Sequence, residues 1–181
     1  ATIMFSDIRD FTAMSESLPG EFIVDMLNNH LTRMEEVIEK WGGAIDKFIG
    51  DAVMAVFLPL HGKAHPAERA ARAGMEMIKK VNEYNAIRRE KGEAEIRIGV
   101  GIATGNLLMG TLGRSSGRQD FTVTGPTVNL AAGMEKRTKE ASKTFVVVCE
   151  QTSKILGDSF ACLPLPSKEG APPAFEIVEK P

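Results

Sequence analysis

The stretch IDKFIGDAVMAVF, residues 45–57, holds two apolar runs that meet at Gly50-Asp51. So short a break joins residues 44–49 and 52–58 as an antiparallel hairpin. The same stretch sets a functional question, because a carboxylate stands at the tip of a hairpin with apolar arms and Lys47 precedes it by four residues.

Periodicity supplies the elements on either side. Residues 2–5, TIMF, read as a short buried strand ending at Ser6-Asp7. Over residues 21–41, Ile23, Leu27, Leu31, Met34, Ile38 and Trp41 recur at steps of three and four, which marks an amphipathic helix closed by Gly42-Gly43. A second long helix is expected over 67–89. In EIRIGVGIATG, residues 95–105, Ile96, Ile98, Val100 and Ile102 alternate with Arg97, Gly99, Gly101 and Ala103, a strand with one face stripped to small residues. Residues 107–112 and 121–123 form two more strands around a Gly- and Ser-rich loop, and residues 126–140 form a helix that proline opens. A strand over 144–150 and two short strands near Phe160 and Phe175 complete the chain. Strand, helix, hairpin, helix, strand, then additions is the order of the split βαβ, ferredoxin-like core. The expected fold class is therefore α+β, an antiparallel-containing sheet with helices on one face and C-terminal additions, in a single domain over residues 1–181.

Composition narrows the function classes. With 181 residues, 43% apolar and 25% charged, the chain can bury one ordinary core. A net charge of −2 gives no general attraction to nucleic acid or to acidic membranes, so an anionic ligand must be held by a local site. Cys149 and Cys162 lack the spacing of a disulfide framework or a zinc site and read as core thiols of a reducing, cytoplasmic compartment. The apolar run over 52–60 falls far short of the ~20 residues of a membrane span. The chain opens inside a strand without a basic leader, so it reads as an excerpt of a longer protein whose membrane contacts, if any, lie in other segments.

In this topology the first strand lies beside the hairpin, so Asp7 at its end and Asp51 at the hairpin tip project from one edge. Taken singly, either aspartate reads equally well as a helix cap or a turn residue. Two carboxylates at close range repel, and a divalent cation between them resolves the conflict. Hard oxygen ligands point to magnesium or manganese. Other apparent motifs fail. Gly99, Gly101 and Gly105 miss the dinucleotide fingerprint because Thr104 stands where its third glycine belongs. His61 and His65 sit in a loop broken by glycine and proline, without further ligands.

FSDIRDFT (5–12), IDKFIGDAVMAVF (45–57), RIGVGIATG (97–105) and DFTVTGPTVNLAAGME (120–135) together resemble the catalytic domain of the class III nucleotide cyclases, the bacterial adenylate cyclases in particular. The four blocks occur in the right order across nearly the whole chain. The resemblance implies a head-to-tail homodimer with shared active sites. It implies conversion of ATP to 3′,5′-cyclic AMP and pyrophosphate by in-line attack of the ribose 3′-hydroxyl, with two Mg2+ or Mn2+ ions per site. It assigns Asp7, Asp51 and the Ile8 carbonyl to metal binding, and the backbone amides of Phe11 and Thr12 to phosphate. Lys47 and Thr122 match the base-reading pair and favour ATP, since guanylate cyclases typically carry glutamate and cysteine there. Asn129 matches the asparagine that orients the ribose, Lys168 a phosphate-binding lysine, and Arg118, with Arg114 as its competitor, a further phosphate ligand. A diguanylate cyclase would need a Gly-Gly-[Asp/Glu]-Glu-Phe hairpin where this chain has FIGDAV.

One position departs from the pattern. The family usually places an arginine one helical turn after the asparagine, where it stabilises charge on the reacting phosphorus; here Gly133 stands in NLAAGME. The implied enzyme is a slow adenylate cyclase, and the alternative is a catalytically impaired regulatory domain that keeps nucleotide binding and dimerisation. Arg137, two turns beyond Asn129, could replace the lost cation only through a distorted helix.

Overall fold

The computed structural model describes residues 1–113, 119–157 and 159–180. In chain order its elements are β1 (Thr2–Ile8), α1 (Phe11–Ser17), α2 (Gly20–Lys40), β2 (Ala44–Ile49), β3 (Ala52–Phe57), α3 (Pro66–Glu90), β4 (Ile98–Thr104), β5 (Leu108–Gly113), β6 (Gln119–Thr124), α4 (Pro126–Arg137), β7 (Val146–Cys149), α5 (Glu150–Leu156), β8 (Phe160–Pro164) and β9 (Ala174–Glu179). Seven strands form one sheet in the order β2-β3-β1-β4-β7-β9-β8, and β5 pairs with β6 in a separate two-stranded ribbon. β4 and β7 run parallel, while the pairs of β1 with β3 and β4 and of β2 with β3 are antiparallel. The α+β class and the split βαβ core stand as the pattern of elements led one to expect.

Strand alternation builds two apolar layers. Met4, Ile8, Val53, Ala55, Phe57, Val100 and Ile102 pack in the cluster that also takes Met34 and Ile38 of α2 and Met77 of α3. Their neighbours Ile3, Met54, Val56 and Ala103 join Ala131 and Met134 of α4 in a second cluster. The two core helices thus share a face, but the expectation of helices on one face does not extend to the additions, because α4 covers the other side. The reason lies in β4. A Cβ at Gly101 would fall 2.0 Å from the Glu135 backbone nitrogen and 2.6 Å from the Ala131 carbonyl oxygen, and one at Gly99 would fall 2.1 Å from Thr138 Oγ1. The small-residue face of β4 is the seat of α4.

Gly101→Ala should therefore push α4 off the sheet and destabilise the fold by about 3 kcal/mol, the upper range for overpacking. Gly20, with nothing within 4 Å of an added Cβ, supplies the control. Urea melts of Gly101→Ala and Gly20→Ala compare the two, and equal midpoints would contradict this account of β4.

Two helices escape the periodic pattern. α1 buries none of its residues and follows Asp10, which adopts a left-handed φ of 58°. α5 starts directly where β7 ends and spans only seven residues. Beyond these, Glu176 is a buried carboxylate that accepts hydrogen bonds from the backbone N–H groups of Ser142, Lys143, Thr144 and Phe145, at 2.6 to 3.1 Å. Those donors hold its pKa below the usual carboxylate range in spite of the burial that acts to raise it, and they fix the loop that leads into β7.

Candidate active site

The hairpin tip and the end of β1 meet as the register requires. β1 pairs with β3 from Thr2 opposite Phe57 to Ser6 opposite Val53, which brings Asp7 level with the turn. Gly50 makes the turn with a φ of 63°, a conformation glycine adopts without strain. Asp51 then reaches back to accept a 3.0 Å hydrogen bond at Oδ2 from the Ile8 N–H. Asp7, Ile8, Phe11, Thr12 and Asp51 line one cavity of about 340 Å3. These are the three metal-site and two phosphate-site positions expected from the sequence.

The electrostatics of this cavity favour a bound cation. Burial, then the hydrogen bond and negative charge of Asp7, push the Asp51 carboxyl from its ordinary 3.8 up to about 7. Glu135, also at the cavity, is raised by burial and by Asp7. Arg9 does not neutralise the cluster freely, because its Nη2 donates to Thr138 Oγ1 at 2.6 Å and its guanidinium lies over Phe145. Among the described residues no group of three or more His, Cys, Asp or Glu side chains could hold a metal. Asp7 and Asp51 fit a hard cation that completes its shell with backbone, water and substrate oxygens, as magnesium does.

The raised Asp51 carboxyl has a measurable consequence without metal. Between about pH 4 and pH 7 the folded chain retains a proton that the unfolded chain has released, so this group lowers stability progressively as pH rises through that window. Discounted for its partial exposure to solvent, the effect at pH 8 is on the order of 1–2 kcal/mol. Melting curves in EDTA from pH 5 to pH 8 should show a shallower decline for Asp51→Asn than for the native chain. Parallel curves would contradict the assignment.

Lys47 and Thr122 come together elsewhere, through a residue that sequence reasoning missed. Thr122 Oγ1 donates to Asp46 Oδ2 at 2.8 Å, and the Val123 N–H donates to Asp46 Oδ1 at 3.2 Å. Lys47 Nζ lies 3.4 Å from Asp46 Oδ2, with the Asp46 side chain only 5% exposed. The β2–β3 register shifts between Ile45 and Lys47, which frees Asp46 from the ladder. The only sequence signal was an acid before the lysine in an otherwise apolar strand. None of Asp46, Lys47 and Thr122 lines the Asp7–Asp51 cavity. Phe48 and Ile49 of β2, Leu108 and Met109 of β5 and Phe121 of β6 are large apolar side chains left exposed.

The remaining candidates stand apart from the cavity. Asn129 is exposed near the start of α4. Lys168 Nζ donates to Glu140 Oε1 at 2.7 Å. Arg137 is buried, donating to Glu140 at 2.9 Å and to the carbonyls of Pro166 and Pro172. It is committed to holding the segment before β9 and does not stand in for the missing arginine. At Gly133 an added Cβ would meet nothing within 4 Å. Arg114 and Arg118 lie outside the described residues.

Residues 1–166 match the family described as the adenylate and guanylate cyclase catalytic domain. An adenylate cyclase of Anabaena cylindrica is 41% identical over 140 residues, covering 77% of this chain and 27% of its own length. Adenylate cyclase 1 of Rhizobium meliloti is 32% identical over 184 residues, covering 98% of this chain and 27% of its own length. The chain thus spans about a quarter of these curated relatives. Among solved structures, the adenylyl cyclase CyaB from P. aeruginosa superposes with a TM-score of 0.86 at 32% identity, over 99% of this chain and 94% of that one.

Proposed function

The chain belongs to the adenylate and guanylate cyclase catalytic domain family, and from that premise we propose that it converts ATP to 3′,5′-cyclic AMP and pyrophosphate as a head-to-tail homodimer. The observation that carries this reading is the division of one hairpin between two clusters. Asp51 at its tip faces Asp7, while Lys47 in its first strand pairs with Asp46, which in turn holds Thr122. A single chain therefore offers the two halves of a nucleotide site on separate surfaces, and a second copy turned head to tail completes each.

Two magnesium or manganese ions, held by Asp7, Asp51 and the Ile8 carbonyl, supply positive charge to the ribose 3′-hydroxyl and to the triphosphate when bound. The two carboxylates contribute the negative charge that keeps such ions at this edge. The Phe11 and Thr12 amides, at the start of α1, donate to phosphate oxygens. From the other chain, Lys47 and Thr122 hold the base and Asn129 orients the ribose, so that the 3′-hydroxyl lies in line with the α-phosphorus. Lys168 and Arg118 are the further phosphate ligands. Lys168 must exchange Glu140 for phosphate, and an exposed ion pair of that kind opposes the exchange only weakly. The free thiols Cys149 and Cys162 fit a cytoplasmic setting, and among the described residues no helix is long and apolar enough to cross a membrane.

The purified chain, offered ATP or GTP separately with manganese at high protein concentration, provides the test. Cyclic AMP and pyrophosphate in equal amounts from ATP are expected. Cyclic GMP from GTP alone would overturn the substrate. The vacant space at Gly133 favours a second reading, a regulatory domain that binds nucleotide and dimerises. ATP binding to an intact dimer with no cyclic product from either nucleotide would select it.

A further inference from the structure

A hydroxyl can present either its proton or its lone pairs to a base, and which one it presents decides what it recognises. We propose that Asp46 fixes this choice at Thr122 and thereby makes the base pocket selective for adenine over guanine, an inference that rests on the cyclase reading above.

Among the described residues, the groups that meet the Asp46 carboxylate are donors. The Val123 N–H occupies Oδ1 at 3.2 Å, the Thr122 hydroxyl occupies Oδ2 at 2.8 Å, and the Lys47 ammonium stands 3.4 Å from the same oxygen. The backbone amide can only donate, and so can the ammonium, so both carboxylate oxygens act as acceptors. The Thr122 proton is consequently committed inward. Its other acceptor within reach, the Val123 carbonyl, lies at 3.5 Å and competes poorly. What Thr122, itself only 5% exposed, has left to offer a base is a lone pair, and what the exposed Lys47 offers is an N–H.

A pocket with one acceptor and one donor matches the edge of adenine, which offers an exocyclic amine and the N1 lone pair. Guanine offers the reverse, a carbonyl oxygen and an N1–H, and would set oxygen against oxygen and N–H against ammonium. Asp46 touches no substrate atom in this arrangement. It is a positioning residue that gives a two-faced hydroxyl a single sense. The bulge between Ile45 and Lys47 lets one strand present Asp46 to β6 while Lys47 remains 42% exposed for the nucleotide.

Asp46→Asn is the informative variant because it is nearly isosteric. The Val123 N–H requires an oxygen opposite it, so the new amide nitrogen faces Thr122 and donates to the hydroxyl. The hydroxyl proton is then released outward, the sense that suits a guanine carbonyl. Expected is a fall in the ATP-to-GTP preference of about tenfold or more, the scale of a polar contact matched or mismatched to a base. The preference is read both as the ratio of kcat/KM values and as the ratio of binding constants for non-cyclisable ATP and GTP analogues. In a Thr122→Val background, where no hydroxyl remains to be oriented, Asp46→Asn should leave the ratio within about twofold, since the two changes act through one contact. If Asp46→Asn weakens both nucleotides equally, or shifts the preference as much with valine at 122, Asp46 is only a clamp between β2 and β6 and the proposal is wrong. A native chain that binds both analogues without favouring ATP also overturns it and leaves the cyclase reading standing. A native chain that binds neither overturns both.

Discussion

On the cyclase reading, Asp51→Ala should cut cyclic AMP formation on the order of 10²–10³-fold, the scale of removing one strong electrostatic group from a transition-state site. The aspartate has two tasks, and a second variant separates them. Its carboxylate faces Asp7 across the cavity, and its Oδ2 accepts the Ile8 N–H. Asp51→Asn keeps an acceptor for that amide and removes the charge, so it should be as inactive as alanine while melting no lower than the native chain. Activity in Asp51→Asn within tenfold of native would show that the charge is not needed. The same variant tests shared sites. Equal mixing of Asp51→Ala with Lys47→Ala chains gives heterodimers in half of the pairs, each with one intact site of two. About a quarter of native activity should return, as two-fold symmetry of the assembly requires. No recovery, with heterodimers shown to form, would contradict a head-to-tail arrangement.

Gly133→Arg should raise turnover on the order of 10²–10³-fold if the missing cation is what limits the chain. Residues four apart lie on one face of a helix, so position 133 stacks directly above Asn129 along α4. An arginine there starts into open space, with no heavy atom within 4 Å of its Cβ. It also replaces a helix-interior glycine, a gain of up to about 1 kcal/mol in stability. Gly133→Ala captures the helical gain without the charge. Its melting temperature should rise with no change in rate. Equal turnover in the arginine, alanine and native forms would show that Gly133 does not limit catalysis.

What could be read from the residues and what could not divide along the range of the forces involved. The hairpin, α2 and α3 were legible because their apolar residues repeat at two or at three and four, a signal contained in a single window. Asp7 and Asp51 were legible as neighbours because a β1–β3 pairing in the split βαβ core fixes their register. The side of the sheet taken by α4 was not, although Gly99 and Gly101 stood out. A stripe of small residues says that something approaches closely and does not say what. Arg137 looked like a candidate cation for the reaction, but its true partners include the carbonyls of Pro166 and Pro172, in a segment that no periodicity ties to α4. Lys168, matched to a phosphate-binding lysine, donates to Glu140, a partner that no local pattern ties to it. Asp46 went unnoticed because its meaning depends on β6, which lies in a different ribbon of the fold. α1 could be read only through the resemblance, as the helix start at Phe11 and Thr12, because a seven-residue helix with no buried side chain leaves no apolar stripe to find.

The β2–β3 hairpin has one more property. Lys47 sits opposite Met54 in the ladder, and the Ile49–Ala52 pair closes it just before Asp51. Extended chain from Lys47 to Ile49 covers roughly 7 Å, and the Gly50-Asp51 turn carries the aspartate beyond it, on a hairpin whose hydrogen bonds to β3 resist bending. In the head-to-tail pair proposed above each hairpin would touch both nucleotides, one through its ammonium and the other through its carboxylate. If a base that draws Lys47 toward it shifts the hairpin, Asp51 moves at the opposite triphosphate and the two occupancies are thermodynamically linked. Linkage of this kind is reciprocal: whatever the first nucleotide does to the affinity for the second, the second does to the first.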